Sequence, residues 1–158
     1  MKTFIRLFCI TMLFLSCKKE KTDTSSATTT VPAKPQLYCK MNGVETSCNS
    51  CFSSYYSGGM GGVNFGLGGN SFDRLILGYT KSLAVGTYTV MKYGDPYLVY
   101  QKDNVYYRGR GILTITAVDT SSNRTVKQLV ATFSCNTDSA TDGTHFSITE
   151  GSFNVNTP

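Results

Sequence analysis

Along most of this chain, apolar residues recur at every second position. In GILTITAVD, Leu113, Ile115 and Ala117 share one face, while Thr114 and Thr116 share the other. In KQLVATFSC, Leu129, Ala131, Phe133 and Cys135 lie on one side. SFDRLILGY aligns Leu75, Leu77 and Tyr79, and GTYTVMKY aligns Tyr88 and Val90. Phe146 pairs with Ile148, and Phe153 with Val155. Side chains on a strand point alternately to opposite faces, so this period demands strands with one face buried. No stretch shows the 3.6-residue period of an amphipathic helix.

The breaks between these runs carry turn chemistry. Asn42-Gly43 separates LYCKM from VETSC, and a two-residue hairpin of this kind needs positive φ at both positions. TSSNR, residues 120–124, reads as a hairpin loop. TDG at 141–143 and Glu150-Gly151 are expected to close the later strands. About nine or ten short strands at such spacing imply an all-β fold, an antiparallel β-sandwich or a partly closed barrel. The sandwich is the first expectation, over residues 37–158.

The N-terminus has another character. Lys2 and Arg6 precede an apolar run, Leu7 to Leu15, that is too short to span a bilayer. It ends Phe14-Leu15-Ser16-Cys17. This stretch resembles a bacterial lipobox, with a small residue before an obligatory cysteine and Phe14 standing where leucine is usual. The resemblance implies a signal peptide over 1–16 and a diacylglycerol thioether on Cys17. Two or three acyl chains anchor a protein stably where one does not. Residues 18–36, KKEKTDTSSATTTVPAKPQ, hold one valine and no aromatic. Such a segment buries too little apolar surface to offset the entropy of ordering, so residues 17–36 read as a lipidated cysteine followed by a flexible tether. The expected location is the outer membrane, on either its outer or its periplasmic side.

The order of the folded segments carries a second resemblance. An NG hairpin is followed by GTY, a tyrosine-rich YLVYQKDNVYY, GILTIT, TFSC and ITEGSF. This order is similar to that of small β-rich lipoproteins of Bacteroidota, although LVATFSC lacks their usual glycine and second phenylalanine. That resemblance implies the same location and fold and supplies no activity.

The formal charge of +5 comes from 15 basic and 10 acidic residues. From Leu37 onward there are 9 basic and 8 acidic residues, a net +1. Arg108-Gly109-Arg110 is the one local cluster, too small a footprint for a polyanion, and no nucleic-acid partner is expected. The glycine-rich GGMGGVNFGLGG, residues 58–69, lacks the Gly-Lys-Ser/Thr of a phosphate loop and any helix to follow it. Val63, Phe65 and Leu67 alternate, so a strand framed by glycines is expected.

Cys39, Cys48, Cys51 and Cys135 remain beyond the leader. An even number in an exported domain suggests disulfides, and three pairings exist. Cys39 shares a face with Leu37 and Met41, and Cys135 shares one with Phe133. Both should point inward, which favours Cys39–Cys135 and leaves Cys48–Cys51. Cys48-Asn49-Ser50-Cys51 also has redox spacing, but that chemistry needs a lowered thiol pKa, which strand and loop surroundings do not supply. A single close cysteine pair is a poor zinc set, and neither metal nor cofactor is expected.

The one histidine, His145, should face solvent beside Phe146. Asp142 is near it in sequence, but no G-x-S-x-G elbow accompanies them. No catalytic residue is expected. The stronger lead is aromatic: of ten tyrosines, Tyr93, Tyr97, Tyr100, Tyr106 and Tyr107 fall close together. Tyrosine offers a flat apolar face and a hydroxyl, which suits sugars and protein partners, although it also simply favours sheets. The function expected is a non-catalytic binding or accessory module for a glycan or protein. The alternative is a structural envelope protein without a small ligand. Oligomeric state is left open.

Overall fold

The computed structural model describes residues 34–56, 59–67, 73–121, 123, 125–139 and 143–156. The expected leader, Cys17, all but the end of the tether, and Asp142 lie outside these residues. The described chain is ten antiparallel strands. They are β1 (Leu37–Met41), β2 (Val44–Cys48), β3 (Cys51–Tyr56), β4 (Met60–Gly66) and β5 (Arg74–Tyr79). Then come β6 (Gly86–Val90), β7 (Tyr97–Lys102), β8 (Val105–Thr120), β9 (Val126–Ser139) and β10 (His145–Asn156). Among the described residues, no helix is long and apolar enough to cross a membrane.

All ten strands belong to one sheet, ordered β2-β1-β10-β9-β8-β7-β5-β4-β3, with β6 joined to β8. The sheet curls until it is nearly a closed barrel. Of the two architectures expected, the chain therefore adopts the partly closed barrel. The chain passes from β2 at one edge of the sheet to β3 at the other through only Asn49 and Ser50. That link brings the two edges together at one end. Elsewhere at the seam, the Val126 amide at the start of β9 donates to Ser53 Oγ on β3 at 3.0 Å.

Local turn chemistry explains the hairpins. Asn42 and Gly43 have φ of 49° and 81°, the pair of positive values that a two-residue connection of β1 to β2 requires. Asp103 and Asn104, at 47° and 66°, do the same between β7 and β8. Glu150-Gly151 behaves otherwise. It was expected to end a strand, yet it lies inside β10 as a bulge. Ile148 pairs with Cys135 and Gly151 with Phe133, so β10 holds one residue more than β9 across this span. Glu150 takes φ of 52° to accommodate it. The extra residue resets the alternation, so Ile148 and Phe153, five apart, both point inward and are fully buried.

The interior is filled by side chains. Phe153 of β10 stacks on Phe133 of β9 at 4.4 Å between centroids and on Phe65 of β4 at 4.7 Å. Since β4 and β10 stand far apart in the sheet order, this stack joins opposite walls. A second cluster puts Phe146 edge-on to Tyr100 and Tyr107, at 4.9 Å from each. Gly151 makes the first cluster possible, because a Cβ there would lie 2.6 Å from the Phe133 ring.

Phe153→Ala removes the middle ring of the stack. Truncating a buried phenylalanine costs about 3–5 kcal/mol, so urea titration should show a loss of stability of that order. A change below about 1 kcal/mol would mean that the stack does not hold the walls together.

Candidate functional site

The five clustered tyrosines divide by face. Tyr100 and Tyr107 were expected among the binding aromatics, but both are buried in the barrel interior against Phe146. Alternation along β7 and β8 turns them inward. Burial, chiefly, pushes the Tyr100 hydroxyl up to about 12, with Asp73, Asp103 and Tyr107 adding to the effect. Tyr93, Tyr97 and Tyr106 face outward.

Register then determines what surrounds the outward tyrosines. Asn64 pairs with Ile76, Ile76 with Val99, and Val99 with Arg108, forming one row across β4, β5, β7 and β8. In the next row, Arg74 pairs with Gln101 and Gln101 with Tyr106. These residues line a cavity of about 260 Å³ that Tyr97 and Tyr106 help to wall. Asn64 and Gln101 are 2% and 5% exposed, so amide groups form part of its floor. Arg74 and Arg108 both line it as well. Gly78 allows this arrangement. It pairs with Tyr97, and a Cβ at that position would sit 2.1 Å from the Tyr97 ring, so the ring lies across the glycine.

The loop between β6 and β7 lies beside the cavity, against Arg108. Both strands pair with the same flank of β8, with Val90 opposite Gly111 and Val99 opposite Arg108. Residues 91–96 are thereby set outside the ladder. Tyr93 is 81% exposed on this loop. The Arg108 guanidinium lies 5.3 Å from its ring centroid and Lys92 Nζ 5.9 Å from it, within cation–π range. Arg108 Nη1 also donates to the Lys92 carbonyl at 3.4 Å, and Lys92 Nζ stands 3.7 Å from Asp138 Oδ2. Asp95 anchors the far end of the loop. Its carboxylate accepts from the Thr80 amide at 2.8 Å, the Thr80 hydroxyl at 2.5 Å and the Lys81 amide at 3.1 Å. Partial burial works to raise the Asp95 pKa, but these hydrogen bonds, with the nearby Lys81 charge, outweigh it and leave it below the ordinary 3.8.

Sequence reasoning missed Arg74, Asn64, Gln101 and Gly78, and it weighed Arg108 only as part of a basic cluster too small for a polyanion. No local signal marks them, because they meet through register between strands far apart in the chain. The β6–β7 interruption did leave a trace in MKYGDP, which breaks the alternation between GTYTV and YLVY.

The cysteines differ from expectation in bonding. All four are free thiols in the structure, so neither Cys39–Cys135 nor Cys48–Cys51 is formed. Cys39 on β1 and Cys135 on β9 have β10 between them, while Cys48 and Cys51 flank the two-residue link between β2 and β3. Burial pushes Cys135 up to about 12, with Cys39 contributing, and pushes Cys51 up to about 11, with Cys48 contributing. Cys39 is raised to about 11 by burial. Raised thiol pKa values are the reverse of what a redox-active C-x-x-C pair needs. Cys48 Sγ instead donates to the Ser50 carbonyl at 2.6 Å and accepts from the Ser50 amide at 3.3 Å. Among the described residues, no group of three His, Cys, Asp or Glu side chains could hold a metal ion. His145 is exposed, with Nδ1 3.3 Å from the Thr137 carbonyl oxygen.

In comparisons with protein-family models, curated proteins and solved structures, none matched this chain.

Proposed function

We propose that this protein is a non-catalytic binding module, carried on the outer membrane by a lipidated Cys17, and that the outer-face cavity between Tyr97 and Tyr106 is its ligand site. The observation that carries the reading is the cavity itself, with aromatic walls over a floor that includes two buried amides. Ligand sites combine apolar surface with a few fixed polar groups, and this one has both. Tyrosine rings suit the C–H faces of a sugar, and amides suit its hydroxyls. The volume accommodates a group about as large as one sugar ring.

Anchoring rests on the leader and on LSC at residues 15–17. Replacing Cys17 with serine removes the acceptor of the thioether, so the protein should move from the membrane fraction to the soluble one. Retention in the membrane would overturn the anchor.

Glycan-array binding tests the site. Tyr97→Ala and Tyr106→Ala should each lower affinity about tenfold or more, given that aromatic anchors in binding pockets commonly contribute about 2 kcal/mol or more. Unchanged binding in both variants would place the ligand elsewhere. Binding to no glycan and no protein would favour a purely structural role in the envelope.

We also infer that the exported protein oxidises to Cys39–Cys135 and Cys48–Cys51, because all four thiols lie in or against the core and exported thiols meet oxidants. Bridging Cys39 to Cys135 closes a long loop, an effect of about 4–5 kcal/mol in the chain-entropy account. Denatured, non-reduced protein isolated from the envelope should then titrate no free thiol among these four. Four titratable thiols would overturn both bridges.

A further inference from the structure

A second cavity, of about 430 Å³, is lined by Ser50, Cys51, Phe52, Gly66 and Arg74, beside the link from β2 to β3. Arg74 lines both. The row Phe52–Asn64–Ile76–Val99–Arg108 runs beneath them across five strands. Four interstrand steps span about 19 Å, which exceeds a single sugar ring. Phe52, at the far end of this row, is 53% exposed.

We propose that this row is a binding track for an acidic oligosaccharide, with Arg74 and Arg108 taking its anionic groups. The inference rests on the reading that this face binds a sugar, and it adds the ligand's charge and length. A guanidinium presents a planar fork of donors that matches a carboxylate or sulfate oxygen pair. Arg108 forms no ion pair with a carboxylate among the described residues. Its contacts are a neutral carbonyl and the Tyr93 ring, which orient it without cancelling its charge. The carboxylate beside it in register, Asp138, is engaged by Lys92. Asp95 is held by Thr80 and Lys81, and Glu150 pairs with Lys40. The track thus ends at Arg108, with Tyr97 and Tyr106 beside it, and runs past Arg74 to Phe52 at the other end. Such a surface favours a chain of sugar rings bearing repeated anionic groups over a neutral chain of the same length. An acidic peptide would satisfy the arginines, but it would leave the tyrosine walls without a matching ring.

Isothermal titration of the full chain in detergent tests this with five probes. They are galacturonate, its linear tetramer, a sulfated galactose tetramer, neutral maltotetraose and tetraglutamate. An acidic tetramer should bind about tenfold or more tighter than galacturonate and than maltotetraose, and should weaken as salt is raised. The ratio between the two acidic tetramers identifies the preferred anion. Arg108→Gln should lower acidic-tetramer affinity about tenfold while leaving the thermal unfolding midpoint unchanged, and Arg74→Gln should lessen the advantage of tetramer over monomer. Maltotetraose binding as tightly as both acidic tetramers would overturn the charge preference and leave the sugar-binding reading standing. Tetraglutamate binding as tightly as the acidic sugars would overturn the glycan assignment. Silence from all four sugars would overturn the acidic-sugar track, while the array and protein-binding tests above decide the binding-module reading.

Discussion

The contact between Phe65, Phe153 and Phe133 is the interaction on which the barrel depends. The intrinsic twist of a wide antiparallel sheet makes it curl, but twist alone does not bring opposite walls into contact. Burying rings from opposite walls against each other does so, because each large aromatic side chain removes a substantial apolar area from water. Other features follow from that requirement. Glu150 takes a left-handed backbone so that both halves of β10 face the same interior. Gly151 leaves room for the Phe133 ring, and Gly61 does the same for Tyr79. In each case a glycine lies opposite an aromatic residue on the neighbouring strand, so the ring covers backbone that would otherwise lack side-chain packing.

The outer face uses the same pairing for another purpose. Tyr97 lies across Gly78 as Phe133 lies across Gly151, but there the ring becomes the wall of a surface cavity. The interrupted strand formed by β6 and β7 places Lys92 and Tyr93 beside Arg108 without breaking the long β8 ladder. A rigid sheet therefore fixes the floor and walls, while a loop pinned by Asp95 lies beside them at Arg108. Positions set by strand register vary less than positions set by loops.

The strands themselves were legible. Leu113 and Ile115, Leu75 and Leu77, and Phe133 and Cys135 announce their shared faces by period alone, and Asn42-Gly43 announces its hairpin. The inward direction of Cys39 and Cys135 was equally readable. What could not be read was which strand lies beside which. Ring partners 88 residues apart, such as Phe65 and Phe153, leave no local mark. The division of the five tyrosines into two faces was readable only as a proportion, until the β7–β8 register assigned each one. Glu150-Gly151 was misread because a bulge and a turn use the same chemistry, a positive φ followed by glycine. The candidate site was the least legible part, since Asn64, Arg74, Gln101 and Arg108 come from four different strands.

The two-residue link between β2 and β3 has a consequence beyond completing the barrel. The end strands of a sheet are where other chains can add, since their outward amides and carbonyls can pair with any extended segment. In an open sheet of this width the two ends would be remote, and each could recruit a copy independently. Here Asn49 and Ser50 bring them to the same place, so a strand approaching one end meets the other end already there. Gathering both sheet ends into one short seam is a safeguard against growth into fibres, built into the path of the chain.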